Sequence, residues 1–495
     1  MTQNHRTSSQ GGITLLGLGP GDPGALTRRA WDWLEGIDKL YVRTAYHPTV
    51  SHLPASLVVE SFDSLYERFD DFEAVYEAIV TKIIALGRTE GVTYAVPGHP
   101  FVAEATCPEI ARRAQAAGIP VQVIDGLSFL GPTFRALGVD PFPEMVMADA
   151  IEISMRETPG FPPSGPALIA QIYDRDVAAE VKLTLMAAYP DEHPVHLVHG
   201  AGTAEEVVED LPLHAIDKSP HLGLLSSLYV EPLSDQASFE AFQEVIARLR
   251  SPEGCPWDRE QTHLSLRPFL LEEAYEALDA LDREDMGDLA EELGDLLLQI
   301  VLHAQIATEN GDFNIHHVLE GIATKLIRRH PHVFSEVDVS GVAGVIRNWE
   351  QIKAAERQAH GMPEKNGLLD GVPTALPALS QAEQIIERVG RVGFDHLSAQ
   401  GTPETIIGML AAIGSEGVNK SSLGDVLLAV TAMAHQAGVD AESALREALG
   451  RFRARFGEIE ADALDAGEAL MDLSAEELSR RWDANGLGDE GEVEA

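Results

Sequence analysis

Leu271-Glu272-Glu273-Ala274-Tyr275-Glu276, followed further on by Glu292-Leu293-Gly294-Asp295-Leu296-Leu297-Leu298, decides how the C-terminal half of this chain folds. At about 100° per residue, Glu272, Glu273 and Glu276 fall within an arc of roughly 100° on one helix. Like charges at that spacing repel rather than stabilise. On a second helix Leu298, Leu302 and Ile306 share the side of Asp295, while Leu289, Leu293, Leu297 and Ile300 cover the other side. A helix so apolar all round is expected to be buried, and Glu292 and Asp295 with it. A buried carboxylate pair needs protonation, a basic partner or a metal. Oxygen donors from two helices suit Mg²⁺ or Mn²⁺, both hard cations. The competing readings are a solvated acidic face on the first helix and acids paired with Arg or Lys on the second.

Downstream stands Lys325-Leu326-Ile327-Arg328-Arg329-His330-Pro331-His332. Lys325, Arg328 and Arg329 are spaced i, i+3 and i+4, so they share a helix face, which Pro331 ends. Guanidinium forks and a Lys point charge are what a polyphosphate clamp requires, although the same spacing also suits ordinary salt bridges. Carboxylates followed by this basic face read as Mg²⁺–polyphosphate chemistry.

The helical pattern contains a repeat. Glu292 to Leu298 recurs as Ser422-Leu423-Gly424-Asp425-Val426-Leu427-Leu428, and each copy is followed by a basic helix, Lys325 to His330 and Arg451 to Phe456. The second copy has Ser422 in the place of Glu292 and Ala454 in the place of Arg328, and no Glu-Glu-x-x-Glu precedes it. Asp425 alone cannot assemble a metal site, so this copy reads as degenerate, structural or dimerising.

Before Ser234 the pattern is different. Ile13-Thr14-Leu15-Leu16 runs into Gly17-Leu18-Gly19-Pro20-Gly21-Asp22, Val92 to Val96 into Pro97-Gly98-His99-Pro100, Val121 to Ile124 into Asp125-Gly126-Leu127-Ser128, and Ala167 to Ala170 into Gln171. Short β-rich runs ending in Gly/Pro turns, separated by helical stretches, read as α/β. The glycine run has Asp22 where the third Gly of a dinucleotide fingerprint belongs, and no P-loop is present.

With 495 residues the chain has room for about three domains. Its 36 Lys+Arg against 79 Asp+Glu give a net charge of −43, which speaks against nucleic acid and against an anionic membrane surface as partners. Cys107 and Cys255 stand far apart, so neither a disulfide framework nor a Cys-based zinc site is readable. The start lacks the apolar core of a secretory signal, and the most apolar run, Leu293 to Ala307, is broken by Asp295, Gln299, His303 and Gln305. The expected setting is cytoplasmic.

Gly254-Cys255-Pro256-Trp257-Asp258, Gln261-Thr262-His263, the Glu-Glu-x-x-Glu and Glu-x-x-Asp pair, Lys325 through Phe334 and Asn348 through Lys353 come in an order that resembles the MazG family of nucleoside triphosphate pyrophosphohydrolases. The resemblance implies an all-α, dimeric enzyme that splits nucleoside triphosphates to monophosphate and pyrophosphate with Mg²⁺. It implies that Glu273, Glu276, Glu292 and Asp295 hold the metal and that Glu272 positions or deprotonates the attacking water. It further implies that Lys325, Arg328 and Arg329 grip phosphates and that Trp349 and Lys353 contact base or phosphate.

Residues 12–233 resemble the tetrapyrrole methylases, a two-lobed α/β family with S-adenosylmethionine in the cleft between lobes. The matching residues are Gly17 to Asp22, Pro97 to Pro100, Asp125 to Ser128, Gln171 and Ser226 to Tyr229. His99 replaces the family's Asp. Gly19, Gly98, Ser128 and Gln171 are the cofactor-lining positions this implies, with the methyl acceptor unassigned. Methylase-like first and MazG-like second is the order of the bacterial YabN-type fusions. The expected layout is a methylase-like domain at 12–235, a MazG-like helical domain at 236–365, a degenerate helical repeat at 366–485 and an acidic tail at 486–495. Two other readings stay open: a methyltransferase whose helical half serves oligomerisation, and a non-catalytic nucleotide- or S-adenosylmethionine-binding scaffold.

Overall fold

A computed structural model describes residues 11–484 except 70, 336, 338–340, 360–366 and 395. The chain divides between Val245 and Ile246 into two compact units. The expected acidic tail and the end of the first helical domain lie outside the described residues.

The first unit holds two five-stranded sheets. Strands β1 (Gly12–Gly17), β2 (Lys39–Val42), β3 (Val58–Ser61), β4 (Gly91–Val96) and β5 (Val121–Ile124) are parallel in the order β3-β2-β4-β1-β5. Both faces are covered, as a parallel sheet requires. Ile13, Leu15, Tyr94 and Val96 pack beneath helix α1 (Phe72–Thr89), whose Val75, Ile79, Val80, Ile83 and Ile84 form one apolar stripe. Leu16, Leu40, Val42, Ala95 and Ile124 form the core on the opposite face. The strand runs read from the sequence at Ile13 and Val92 are therefore central strands, buried on both sides, while the run at Val121 is the edge strand β5.

The second sheet comprises β6 (Val146–Asp149), β7 (Ala167–Ala170), β8 (Pro194–His199), β9 (Val207–Pro212) and β10 (Ser226–Val230), in the order β6-β7-β10-β8-β9. Only β6 and β7 run parallel; β10 is antiparallel to both of its neighbours. Its core gathers Ala167, Ile169, Leu197, Leu228 and Val230 with Ala178, Val181 and Leu185.

Apart from short 3₁₀ turns, the described secondary structure of the second unit is helical: α2 (Arg267–Asp282), α3 (Met286–Asn310), α4 (Ile315–Arg329), α5 (Gly341–Ala359), α6 (Lys420–Gln436) and α7 (Ala441–Asp465) are its longest elements. Asp285 caps α3 by accepting the Gly287 and Asp288 N–H groups, and Gly311, at φ +79°, ends it. Asn314 and His317 form a capping box at the start of α4. The half-buried pair Arg446–Asp282, at 2.8 Å, joins α7 to the end of α2.

The expectation that α3 is buried all round is corrected. Gln299, Val301, Leu302, Ala304, Ile306 and Ala307 are buried, but Leu293, Leu297 and Ile300 are 52%, 37% and 45% exposed. Among the described residues no element covers that apolar face, and Glu292 and Asp295 are half-buried instead of enclosed.

Candidate functional site

Helices α2 and α3 pack along one another and bring the carboxylates together. Glu273 and Glu276, one turn apart on α2, meet Glu292 on α3, with one oxygen of each within 4.8 Å of the others. Burial and the charges of Asp295 and Glu276 hold the Glu273 carboxyl above its ordinary range. Burial and the charges of Glu276, Asp288 and Asp295 do the same to Glu292. Negative charges pressed together in this way are what a divalent cation relieves. Asp295 acts on both neighbours electrostatically, but its oxygens are outside the three-residue group, and Glu272 is exposed beside it.

The basic group lies on α4. Lys325 is exposed. Arg328 and Arg329 both turn to Glu356 of α5, at 2.7 and 2.6 Å, and they draw its carboxyl below the usual range. Trp349, also on α5, lies 5.8 Å from the Arg329 guanidinium and 5.1 Å from the Lys353 ammonium. Arg328 and Arg329 are thus gathered beside Trp349 on an acid that sequence reasoning missed, revealed only by the three-dimensional meeting of α4 and α5, while no contact among the described residues brings Lys325 to them. The Gln261-Thr262-His263 stretch also finds its place: His263 Nδ1 is 2.8 Å from His303 Nδ1 on α3, with the rings stacked.

The second repeat differs where the metal residues would be. Ser422 is spent on the start of α6, forming a capping box with Asn419. Its helix therefore begins near the position that Glu292 occupies well inside α3.

In the first unit the loops after β1, β4 and β5 converge. Gly19 and Gly98 pair as an isolated bridge, both at positive φ (+75° and +65°). A cavity of about 670 Å³ opens beside them, lined by Gly98, Gln171, Arg43, His47, Tyr76 and Ser227 among others. Gln171 adopts φ +69° and donates its amide to the Ala103 carbonyl. Arg43 is held by Glu104 and by the Tyr66 and Tyr76 hydroxyls. His47 is only 5% exposed, neither ring nitrogen has a hydrogen-bond partner among the described residues, and burial pushes its pKa down to about 4. The Ser128 hydroxyl accepts the Leu130 N–H, and neither Ser128 nor Gly19 is among the residues lining this cavity or the larger one of about 1340 Å³. His99 faces Asp125, with Nε2 3.4 Å from Oδ1. No helix of the described residues is long and apolar enough to cross a membrane.

Two sheets with glycine-lined strand ends, and a helical unit with clustered carboxylates, define a two-part protein. A family model described as tetrapyrrole (corrin/porphyrin) methylases matches residues 12–217, and one described as the MazG nucleotide pyrophosphohydrolase domain matches residues 261–334. The chain belongs to the family of Bacillus subtilis (strain 168) YabN, with which it shares 40% identity over 484 residues, 95% of this chain and 98% of that one. Its C-terminal half is 41% identical over 256 residues to the nucleoside triphosphate pyrophosphohydrolase/pyrophosphatase MazG of Thermotoga maritima, covering 51% of this chain and 97% of that one. It is 38% identical over 247 residues to the nucleoside triphosphate pyrophosphohydrolase of Escherichia coli, covering 48% and 93%. Among solved structures, a uroporphyrin-III-C-methyltransferase from Thermus thermophilus aligns at 22% identity and TM-score 0.35, covering 46% of this chain and 94% of that one.

Proposed function

We propose that the helical half hydrolyses nucleoside triphosphates to monophosphate and pyrophosphate with Mg²⁺, or Mn²⁺ in its place. The observation that carries this reading is the meeting of Glu273, Glu276 and Glu292 oxygens within 4.8 Å, where burial and neighbouring carboxylates raise the pKa of Glu273 and of Glu292. Hard oxygen donors in a negative cluster fit a divalent cation, with Asp295 completing the set. Such a cation supplies Lewis-acid neutralisation of charge on the phosphoryl oxygens. Glu272, exposed beside the cluster, orients and deprotonates the water that attacks the α-phosphorus. The bond from that phosphorus to the bridging oxygen breaks, and pyrophosphate leaves. Lys325, Arg328 and Arg329 hold the departing phosphates, and Trp349 with Lys353 contacts the nucleotide.

The exposed Leu293, Leu297 and Ile300 face supports a homodimer, since a second copy would cover it. The N-terminal unit binds S-adenosylmethionine beside Gly19, Gly98, Ser128 and Gln171. The proposed domain extents are 12–235, 236–365 and 366–485, the first boundary falling ahead of the division between Val245 and Ile246, and the protein works in the cytoplasm on small molecules. Pyrophosphate release from a panel of NTPs and dNTPs, with Mg²⁺ and with EDTA, tests the reading. Metal-dependent release upholds it, and no release from any nucleotide removes it.

A further inference from the structure

We propose that Glu356 is a positioning residue of the phosphate-binding side, aligning Arg328 and Arg329 so that their outer edges can take phosphate oxygens. The proposal rests on the pyrophosphohydrolase reading above and assigns a role to a residue outside its catalytic set.

Arg328 and Arg329 are adjacent at the end of α4, so their side chains leave the helix about 100° apart. Left alone, they would diverge and repel. One carboxylate overcomes both tendencies. Glu356 Oε1 accepts from Arg328 Nε at 2.7 Å, and Oε2 accepts from Arg329 Nη2 at 2.6 Å. In both guanidiniums it is the Nε–Nη2 edge that meets the acid. Among the described residues neither Nη1 has a hydrogen-bond partner, so each fork keeps an edge for a phosphate. The Glu356 side chain is only 11% exposed and Arg329 17%, while Arg328 stays open to solvent at 48%.

The charge count points the same way. Acids outnumber bases by 79 to 36 in this chain, and Arg283, for comparison, is met by Asp279, Asp285 and Asp288. At Glu356 itself the ratio is inverted: one acid serves two arginines. This group of three side chains keeps a net positive charge, and Glu356 fixes the shape of the pair without cancelling it. The link to α5 also sets Trp349 against Arg329.

The full chain carrying Glu356→Gln or Glu356→Asp tests this. Binding of inorganic pyrophosphate by calorimetry is measured beside KM and kcat for the best NTP. Glu356→Gln is expected to weaken pyrophosphate binding about tenfold or more and to raise KM by a similar factor, with kcat within about twofold. Glu356→Asp, which keeps the charge, should recover part of the loss. Helix content and melting temperature should stay near wild type. Unchanged or tighter pyrophosphate binding in Glu356→Gln would overturn the proposal, because the acid would then be competing with phosphate or merely joining two helices. Equal unfolding of both variants would overturn it as well. If the wild-type chain binds pyrophosphate through this pair yet turns over no NTP, the hydrolase reading fails while the positioning role stands.

Discussion

Gly19 and Gly98 exchange both backbone hydrogen bonds: the Gly98 N–H reaches the Gly19 carbonyl at 2.8 Å, and the Gly19 N–H reaches the Gly98 carbonyl at 3.2 Å. This two-way link ties the loop after β1 to the loop after β4, and Gly126 from the loop after β5 presses against both. A Cβ built on Gly126 would stand 2.3 Å from the Gly98 carbonyl oxygen and 2.7 Å from the Gly17 carbonyl carbon.

Gly126→Ala should therefore destabilise the N-terminal unit by about 1–3 kcal/mol, because rigid backbone cannot yield to the methyl group. Gly98→Ala meets no atom within 4 Å but must keep φ +65°, a strain of about 1–2 kcal/mol. Calorimetric melting of each variant checks both figures. Titration with S-adenosylhomocysteine should show weaker binding in each.

Replacing Glu292 with Ala should reduce pyrophosphate release by about 100-fold or more, since a carboxylate from one of the two helices is lost. The folded state should not suffer in parallel, because the substitution also relieves repulsion with Glu276, Asp288 and Asp295. A thermal melt run beside the assay separates these effects. Activity retained at wild-type level would remove the site assignment.

Millimolar Mg²⁺ should raise the melting temperature of the helical unit, as any ligand bound only by the folded state does. In Glu276→Gln the rise should shrink or vanish. EDTA should reverse it in the wild type.

His47 sets a pH dependence of known sign. Burial lowers its pKa from 6.5 to about 4, so the unfolded chain takes up a proton in that interval that the folded chain refuses. Its contribution to stability is whole above pH 6.5 and is lost as pH falls toward 4, by ~3 kcal/mol at most. Melting of wild type and His47→Gln across that range should show a flatter curve for the variant.

Leu297→Glu should convert a dimer to a monomer in sedimentation experiments, because it places a charge on the face formed with Leu293 and Ile300. A sedimentation coefficient identical to wild type would exclude that face as the interface.

The two-part organisation was legible because strand runs and helix runs differ in period. Ile13, Val92, Val121 and Ala167 begin strands or lie within them, as their alternation and Gly/Pro punctuation indicate. The meeting of Glu273, Glu276 and Glu292 was legible for a similar reason, since i, i+3 spacing fixes a helix face. The exposure of α3 was not, because periodicity reports which residues are apolar and not what covers them. Neither was Glu356: a single Glu on a polar helix carries no pattern, and its partners are 27 and 28 residues away.

The Arg446–Asp282 pair has a practical consequence for anyone trimming this protein. Asp282 ends the helix that carries Glu273 and Glu276, while Arg446 belongs to the copy without a complete carboxylate set. A fragment cut after residue 359 would keep every proposed metal ligand yet strip the buttress from the far end of their helix. Such a minimal enzyme would need Asp282 replaced by a neutral residue, or a new cation supplied nearby. Inactivity of the short fragment alone would thus say little about which copy performs the chemistry.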